Sequence, residues 1–374
     1  MTDLFFYGTL RHAPLLALVL GADAPAAQQA TLPGHEVLWA EGECFPMIRK
    51  TTGATAQGVL VQGLDDAALA RLNFYEGGFD YALEDVTVRL GGTDVVAQVY
   101  FPAPGLWTPG APWSLEDWVR DWGAMTLHAA DEVMSYFGQV PAEEVARRFS
   151  MIRTRAASRA RAEASAAPTT LRSALGDGDV AVTDARRPYS NFFTLEEHDL
   201  SFRRFNGAMS ASVNRAGFLG GDAVTVLPYD PVRDRVLVIE QFRVGPHLRG
   251  DPHPWVLEPI AGRIDAGESP QDAARREGLE EAGLEMQALE HIADYYPSPG
   301  AVSEFLYSYV GLADLPDSAA GLGGVDHEQE DIRSHVISFD RLMELVTSGE
   351  AGCGPLVLSA LWLGQNRDRL RRRG

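Results

Sequence analysis

Residues 262–284 contain the pattern that most restricts how this chain can fold. Ser269 is a good N-cap, and Pro270 suits the first position of a helix. Gly283 is a natural stop for the C-terminal end. The sequence therefore predicts a helix over residues 270–282, with signals at both of its ends.

Three carboxylates crowd one face of this predicted helix. Glu277 and Glu281 are four residues apart, and Glu280 follows Glu277 by three, so the side chains are neighbours on the helix surface. Like charges at this spacing destabilise a helix unless a cation neutralises them. Clustered carboxylate oxygens suit Mg²⁺ or Mn²⁺, although three glutamates taken alone are more often a solvated acidic face.

The complete segment resembles the Nudix box, G-x5-E-x7-R-E-U-x-E-E-x-G-U, in which U is an aliphatic residue. The matching positions are Gly262, Glu268, Arg276, Glu277, Glu280, Glu281, Gly283 and Leu284. The first U position holds Gly278 instead, which lowers helix propensity by roughly 1 kcal/mol relative to alanine and removes a packing side chain. The resemblance implies a pyrophosphohydrolase that cleaves a nucleoside diphosphate linked to another group.

Outside the box, the C-terminal half resembles bacterial ADP-ribose pyrophosphatases. The matching stretches are residues 205–207, 227–234, 240–243, 298–304 and 328–332. The resemblance implies that Mg²⁺, with Mn²⁺ as a substitute, is held by the Ala261 carbonyl, Glu277, Glu281 and Glu330. It also implies that Glu328 is the base that deprotonates the attacking water and that Glu280 lies near the metal.

The same resemblance implies the groups that contact substrate and the assembly. The substrate-contacting residues are Arg215, Arg243, Arg263, Glu304, Phe192 and Phe193. The two phenylalanines match positions that hold the adenine of the substrate. These positions and that of Arg215 usually belong to a second subunit, so the resemblance implies a homodimer through the Nudix domain. The expected reaction converts ADP-ribose and water into AMP and ribose 5-phosphate. Hydrolysis of GDP-mannose or a related sugar, and an ADP-ribose-binding sensor, are the alternatives.

An acidic loop supports the same interpretation on chemical grounds. Residues 326–331 are rich in carboxylates and follow three glycines, Gly321, Gly323 and Gly324. A mobile loop of this kind can close over a substrate and exclude water, while clustered metal ions offset the charge that develops on a diphosphate. Taken alone, such a loop is more often a solvated surface.

A second candidate site lies near the N-terminus, where a strand-like run enters a turn whose backbone N–H groups can cradle an anion. The turn residues are Tyr7, Gly8, Thr9 and Leu10. Together with residues 72–77 and Tyr81 they resemble the γ-glutamylcyclotransferase family of small barrel-like domains. The resemblance implies that the turn holds the substrate's carboxylate and that Glu76 shuttles a proton. Ala82 stands where the family often has arginine, so a degenerate or regulatory domain is the alternative.

The chain of 374 residues is too long for one ordinary core, since single cores stop growing near roughly 250 to 300 residues. We predict a barrel-like α+β domain over residues 1–113, a helical connector over 114–169 and a Nudix sandwich over 170–374. Strands interrupted by one strongly capped helix predict α/β/α layers around a mixed sheet in the last domain.

The arginines of the connector are expected to form a solvated face, with an anion site as the alternative; they are Arg153, Arg155, Arg159 and Arg161. Fusions of these two domain types also resemble bacterial proteins labelled for tellurite resistance, although no residue explains tellurite.

Composition excludes several classes of protein. The formal charge of -20 repels a phosphate backbone, and the chain has no basic patch, so nucleic-acid binding is not expected. No apolar run approaches the ~20 residues of a membrane span. The apolar residues 15–20 follow a strand-like run and are predicted to form a core helix rather than a signal peptide. Cys44 and Cys353 fit no zinc or disulfide pattern, which suits the cytoplasm.

Overall fold

The structure is a computed structural model that divides into two units, Met1–Ala167 and Pro168–Gly374. Each unit has a hydrophobic core of its own, as expected for a chain of this length. The described residues are 1–23, 25–165, 168–323 and 331–372. Across these ranges, every helix is too short or too polar to cross a lipid bilayer.

The first unit combines a closed sheet with helices. Its strands are β1 (Thr2–Phe6), β2 (Ala27–Ala40), β3 (Pro46–Leu64), β4 (Tyr81–Leu90), β5 (Thr93–Pro102) and β6 (Pro109–Pro112). Its helices are α1 (Ala13–Leu20), α2 (Asp66–Gly77), α3 (Leu115–Ser135), α4 (Ala142–Arg147) and α5 (Phe149–Ala164). The strands follow the order β3-β1-β5-β4-β2-β6, and β2 also pairs with β3. The sheet therefore closes on itself, which confirms the predicted small barrel.

The helices of the first unit cover apolar surface outside the barrel. Residues 15–20 fall within α1, where Leu15, Leu16 and Val19 are buried, so the predicted core helix is confirmed. Helix α3 packs against α1 and α5, and α3 to α5 occupy most of the segment predicted as a connector.

The arginines of α5 do not share one environment. The expected solvated face is wrong for Arg155, which is 5% exposed and pairs with Glu132 at 2.5 Å. Arg159, one turn further along, is exposed and pairs with Glu163. Helix α5 consists mostly of small and charged residues, so its buried face gives only a weak hydrophobic periodicity in the sequence. The burial of Arg155 depends on elements that are distant in the chain, and the sequence pattern does not reveal it.

The second unit is built on a mixed sheet. Its strands are β7 (Val180–Ser190), β8 (Thr194–Phe202), β9 (Val213–Leu219), β10 (Ala223–Asp230), β11 (Arg235–Phe242), β12 (Trp255–Glu258), β13 (Ile260–Arg263), β14 (Ala288–Tyr295), β15 (Leu306–Leu312), β16 (Gly321–Gly323) and β17 (Ile332–Ser338). Its helices are α6 (Val244–Arg249), α7 (Pro270–Ala282), α8 (Phe339–Ser348) and α9 (Gly354–Arg371). The main order is β14-β15-β10-β11-β17-β16, with β12 on β11 and β13 on β10. Strands β10 and β15 are parallel, while β10 and β11 are antiparallel.

Helices cover both faces of this sheet. Helix α7 packs on the face that carries Val224 and Ile239. Helices α8 and α9 pack on the face that carries Leu227 and Val238. Every residue of β10 is buried, because a strand covered on both sides has no solvated face. The predicted α/β/α layering is confirmed.

Two parts of the second unit differ from the sequence pattern. The mostly apolar residues 256–260 are divided between β12 and β13, because Pro259 lacks the N–H group that a continuous ladder requires. Strands β7, β8 and β9 form a separate antiparallel sheet. Ion pairs such as Arg187 with Glu196 at 2.6 Å cross this sheet.

Candidate active sites

Helix α7 begins and ends where the sequence predicts. The Ser269 hydroxyl accepts a hydrogen bond from the Asp272 N–H at 3.2 Å, and Gly283 closes the helix with a φ of 62°, which glycine adopts without strain. These ends fix the rotation of the helix. Ala273 and Ala274 consequently face the core, and the glutamates lie on the side next to β13.

Glu277 and Glu281 lie against the backbone of β13. A Cβ atom added at Gly262 would overlap the Glu277 carboxylate, so this close approach requires glycine. Glu281 is 3% exposed, and its Oε2 accepts a hydrogen bond from the Ala261 N–H at 3.4 Å. The structure thus brings Glu277, Glu281 and Ala261 together along one edge, which we call the carboxylate edge.

Arg276 connects the acidic residues of this edge. Its guanidinium donates to both oxygens of Glu268, at 2.9 and 3.0 Å. It also donates to Glu277 at 2.7 Å and to Glu280 at 2.9 Å. The hydrogen bonds to Glu268 are the largest cause of the raised pKa of Arg276. One cation thereby offsets part of the repulsion among the carboxylates.

Gly278, the departure from the Nudix box, is not a gap in the packing. A Cβ atom at Gly278 would lie 2.7 Å from Met286 Cε, and one at Gly311 would lie 2.5 Å from Met286 Sδ. Met286 is buried and fits between the two glycines. A flexible methionine therefore fills the space that an aliphatic residue on the helix would take.

The predicted substrate contacts Arg243, Arg263 and Glu304 lie in one region. Arg243 pairs with Glu258 at 2.7 Å; burial lowers the pKa of Arg243, but Glu258 raises it further, so the net shift is upward. Burial raises the pKa of Glu304 despite the opposing effect of Arg263 and Arg243. Sequence reasoning missed Glu258, which carries no motif signal other than its place before Pro259.

Phe192 and Phe193 occupy the turn between β7 and β8. The guanidinium carbon of Arg263 lies 4.0 Å from the Phe192 ring centroid and 5.4 Å from that of Phe193, a favourable cation–π geometry. The rings are 57% and 41% exposed and offer apolar surface beside a cation. Arg215 lies on β9, where its guanidinium donates to the Asn214 carbonyl at 2.8 Å.

The predicted base Glu328 and the predicted ligand Glu330 lie outside the described residues. On either side of this segment, Gly323 of β16 pairs with Ile332 of β17. A Cβ atom at Gly323 would lie 2.5 Å from the Glu281 carbonyl oxygen. Gly323, the last described residue before this segment, therefore lies beside the end of α7. Within the described ranges, no group of three or more His, Cys, Asp or Glu side chains has metal-binding geometry.

The first unit holds a cavity of about 230 Å³. One wall is the predicted anion turn, with Tyr7, Gly8, Thr9 and Leu10, and Glu76 of α2 also lines the cavity. Helices α3 and α5 supply further lining residues, which sequence reasoning missed because their contacts are far apart in the chain. The structure thus brings the turn and Glu76 to the same space.

Glu76 lies in the last turn of α2 among aromatic side chains. Burial raises its pKa to about 7. Burial is also the largest cause of the raised pKa values of Tyr7, Tyr75, Tyr81 and Tyr100, and the Glu76 charge adds to each. A carboxyl group with a pKa near neutrality can accept and return a proton at physiological pH.

Two family models match the chain. The gamma-glutamyl cyclotransferase, AIG2-like model matches residues 4–120, and the NUDIX domain model matches residues 220–352. The ADP-ribose pyrophosphatase of Escherichia coli (strain K12) is 38% identical over 204 residues, which cover 54% of this chain and 97% of that protein. The ADP-ribose pyrophosphatase of Haemophilus influenzae is 34% identical over 194 residues, with coverage of 51% and 89%. A GDP-mannose pyrophosphatase of Salmonella paratyphi B is 32% identical over 168 residues, with coverage of 45% and 86%.

The matched ranges fall one in each structural unit. The first includes the anion turn and Glu76, and the second includes the carboxylate edge. The predicted fusion of two domain types is therefore confirmed. Through its C-terminal unit, the chain belongs to the Nudix hydrolase family, and its N-terminal unit matches the AIG2-like γ-glutamyl cyclotransferase model.

Proposed function

We propose that the C-terminal unit hydrolyses ADP-ribose to AMP and ribose 5-phosphate with Mg²⁺, for which Mn²⁺ can substitute. The observation that carries this proposal is the carboxylate edge, where Glu277 and Glu281 lie against Gly262 and Ala261. The two relatives named ADP-ribose pyrophosphatase, at 38% and 34% identity, support ADP-ribose as the substrate.

The donor set of the carboxylate edge suits a hard divalent cation. Nudix hydrolases use divalent metal ions, and Mg²⁺ prefers oxygen ligands such as the Glu277 and Glu281 carboxylates and the Ala261 carbonyl. Gly262 leaves this edge free of a competing side chain. Glu330 stays a predicted further ligand. When bound, the ion would offset negative charge that develops on the diphosphate.

The other residues of the unit orient the substrate and move the proton. Arg263 presents a cation beside the exposed Phe192 ring, a combination that suits a phosphate joined to an aromatic base. Arg243 is held by Glu258 in the same region. Glu328 is proposed to take the proton of the attacking water. Because the described residues that flank its segment adjoin the end of α7, this assignment is compatible with the geometry.

A panel of nucleoside diphosphate sugars tests this proposal. The full-length protein is incubated with Mg²⁺ and a phosphatase, which releases phosphate from AMP and ribose 5-phosphate but not from an intact diphosphate. We expect ADP-ribose to be the preferred substrate. Cleavage of GDP-mannose but not ADP-ribose would contradict the proposal and favour the alternative substrate, GDP-mannose or a related sugar. Binding of ADP-ribose without cleavage would favour the ADP-ribose-binding sensor.

We also propose a homodimer through the Nudix unit and a cytoplasmic location. The exposed apolar residues of the sheet β7-β8-β9 support the dimer; they include Val182, Tyr189, Phe202 and Phe218. Burial of such surface favours association. Light scattering coupled to size exclusion measures the mass directly, and a monomer at micromolar concentration would contradict the proposal.

A second function is supported by the Glu76 cavity. We propose that the N-terminal unit cyclises a γ-glutamyl compound. The α-amino nitrogen of the substrate attacks its γ-carbonyl carbon, the bond from that carbon to the leaving amine breaks, and a five-membered lactam forms. Glu76 takes the proton from the attacking nitrogen and gives it to the leaving amine. Release of free amine from a γ-glutamyl amide measures this reaction.

A further inference from the structure

Arg153 brings a positive charge to the N-terminal cavity. It belongs to α5 and lines the same cavity as Glu76, although it lies outside the residues 4–120 that match the cyclotransferase model. Its side chain is 22% exposed, and its guanidinium pairs with Glu43 at 3.1 Å. The cavity lining is rich in aromatic side chains, with Phe45 and Phe149 among its members.

The guanidinium of Arg153 has hydrogen-bonding capacity to spare. Its Nε finds no acceptor among the residues that the structure describes. An arginine has five N–H donors in a planar arrangement, and a buried donor without a partner is unfavourable. A carboxylate matches this arrangement with two parallel hydrogen bonds. A ligand carboxylate would therefore satisfy donors that Glu43 leaves free.

Cys44 and Tyr75 line the same cavity as Arg153 and Glu76. The pKa of Cys44 is raised by burial and lowered to a smaller extent by Arg153. The pKa of Tyr75 is raised by burial and then by the charges of Glu76 and Cys44. A ligand that places its reacting carbon at Glu76 can extend towards Arg153.

We propose that Arg153 binds a carboxylate on the leaving-amine side of a γ-glutamyl compound, so that the cavity prefers γ-glutamyl amino acids to γ-glutamyl amines. This inference rests on the cyclotransferase function proposed above. The anion turn serves the carboxylate of the glutamyl part, which leaves Arg153 for the second carboxylate. The cavity of about 230 Å³ is smaller than the roughly 300 to 1,000 Å³ of drug-sized sites, which suits a molecule of dipeptide size.

A matched pair of probes tests the proposal. γ-Glutamylalanine and γ-glutamylethylamine differ only in the carboxylate of the leaving amine. Their affinities are measured by calorimetry on the full-length protein carrying Glu76→Gln, so that neither probe is consumed. We expect the alanine compound to bind at least about tenfold more tightly, the difference that one charge-assisted pair supplies.

Added substitutions locate the source of the preference. Arg153→Met should bring the affinity ratio close to one, and Arg153→Lys should retain part of it. Arg159→Met is the matched control on the same helix, at a side chain 64% exposed, and should keep the full ratio. Glu43→Gln should increase the ratio, because it removes the carboxylate that competes for Arg153. Melting curves report folding; should Arg153→Met not fold, the lysine and Glu43 variants carry the test.

The results separate this proposal from the cyclotransferase function. Equal affinity for the two probes, no binding of either, or a ratio unchanged by Arg153→Met overturns the role of Arg153. Release of alanine from γ-glutamylalanine by the protein with an intact Glu76 is measured in parallel. Selective binding without release leaves the role of Arg153 in place and overturns the proposed cyclisation.

Discussion

The two candidate sites place carboxyl groups in opposite surroundings. Glu76 lies in an aromatic cavity, where burial raises its pKa to about 7. Glu277 lies beside Arg276, which also pairs with Glu268 and Glu280. A neighbouring cation favours the charged form of a carboxyl group, whereas burial favours the neutral form. The first setting suits proton transfer, and the second suits the binding of a metal ion.

Glu132 provides a third case within the first unit. It is 6% exposed, more deeply buried than Glu76, but it pairs with Arg155 at 2.5 Å and lines neither candidate site. Burial alone therefore does not mark a carboxyl group for chemistry. What distinguishes Glu76 is burial beside a cavity, and what distinguishes Glu277 is a charge cluster against a bare stretch of backbone.

The largest expected effect comes from the carboxylate edge. Glu277→Gln should lower kcat for ADP-ribose by about 10³-fold or more at any Mg²⁺ concentration, because an amide is a poor substitute for a charged ligand and several kcal/mol of stabilisation are lost. Phosphate release in the coupled assay measures it. Glu285→Gln, at an exposed glutamate just after α7, is the control. Near-normal turnover by Glu277→Gln would contradict the proposed metal site.

Glu328→Gln separates the base from the metal ligands. We expect kcat to fall by about 10² to 10⁴-fold, the usual contribution of a general base, while Mg²⁺-dependent binding of ADP-ribose persists. Calorimetry with ADP-ribose and the same phosphate assay measure the two properties. A loss of binding equal to that of Glu277→Gln would place Glu328 among the metal ligands instead.

Arg155→Met tests the structural carboxyl group. Removal of Arg155 leaves the buried Glu132 carboxyl group without its ion-pair partner, so the free energy of unfolding of the first unit should fall by about 3 to 5 kcal/mol. Urea unfolding followed by tryptophan fluorescence measures it. Arg159→Met, at an exposed pair, should change stability by less than about 1 kcal/mol. Equal effects of the two substitutions would show that the buried pair contributes no more than an exposed one.

The same comparison explains what the sequence could predict. Helix α7 was predictable because Ser269, Pro270 and Gly283 act within one turn of the helix ends, and the carboxylates follow at fixed spacing. Sequence reasoning placed Arg153 on a solvated face, with an anion site as the alternative, because its partner Glu43 is 110 positions away. It placed Arg155 in solvent for a similar reason, since Glu132 lies on another helix. Local signals thus specified the Nudix helix, whereas the cavity of the first unit depends on contacts between distant segments.

Glu76→Gln should remove cyclisation and stabilise the first unit. A carboxyl group whose pKa is raised to about 7 in the folded state contributes stability below its unfolded pKa near 4.5, and this is lost as pH rises through about 7. The free energy of unfolding of the variant should therefore exceed that of the parent protein by a larger margin at pH 8 than at pH 5. The two margins should differ by roughly 1 to 3 kcal/mol. Urea unfolding at the two pH values measures it.

An exposed carboxyl group of the same unit is the control for this pH dependence. Glu84→Gln, at a side chain 53% exposed, is measured under the same conditions. A gain for Glu76→Gln that does not depend on pH would mean that Glu76 is solvated and would remove the contrast with Glu277. In the intact protein, cyclisation should decline as pH falls below about 7, because the attacking amine needs the charged form of Glu76 as its base.

The smallest effect concerns the packing beneath the carboxylate edge. Gly278→Ala gains helix propensity of up to about 1 kcal/mol, but its methyl group would meet Met286 Cε at 2.7 Å and must displace it. We expect a net change in stability below about 1 kcal/mol, with a clearer gain when Met286→Ala is already present, since contacting residues couple by about 0.5 kcal/mol or more. A double-mutant cycle in urea measures the coupling. Equal gains in both backgrounds would show that Met286 does not fill the position, and that the helix holding Glu277 packs more loosely on its sheet than these contacts indicate.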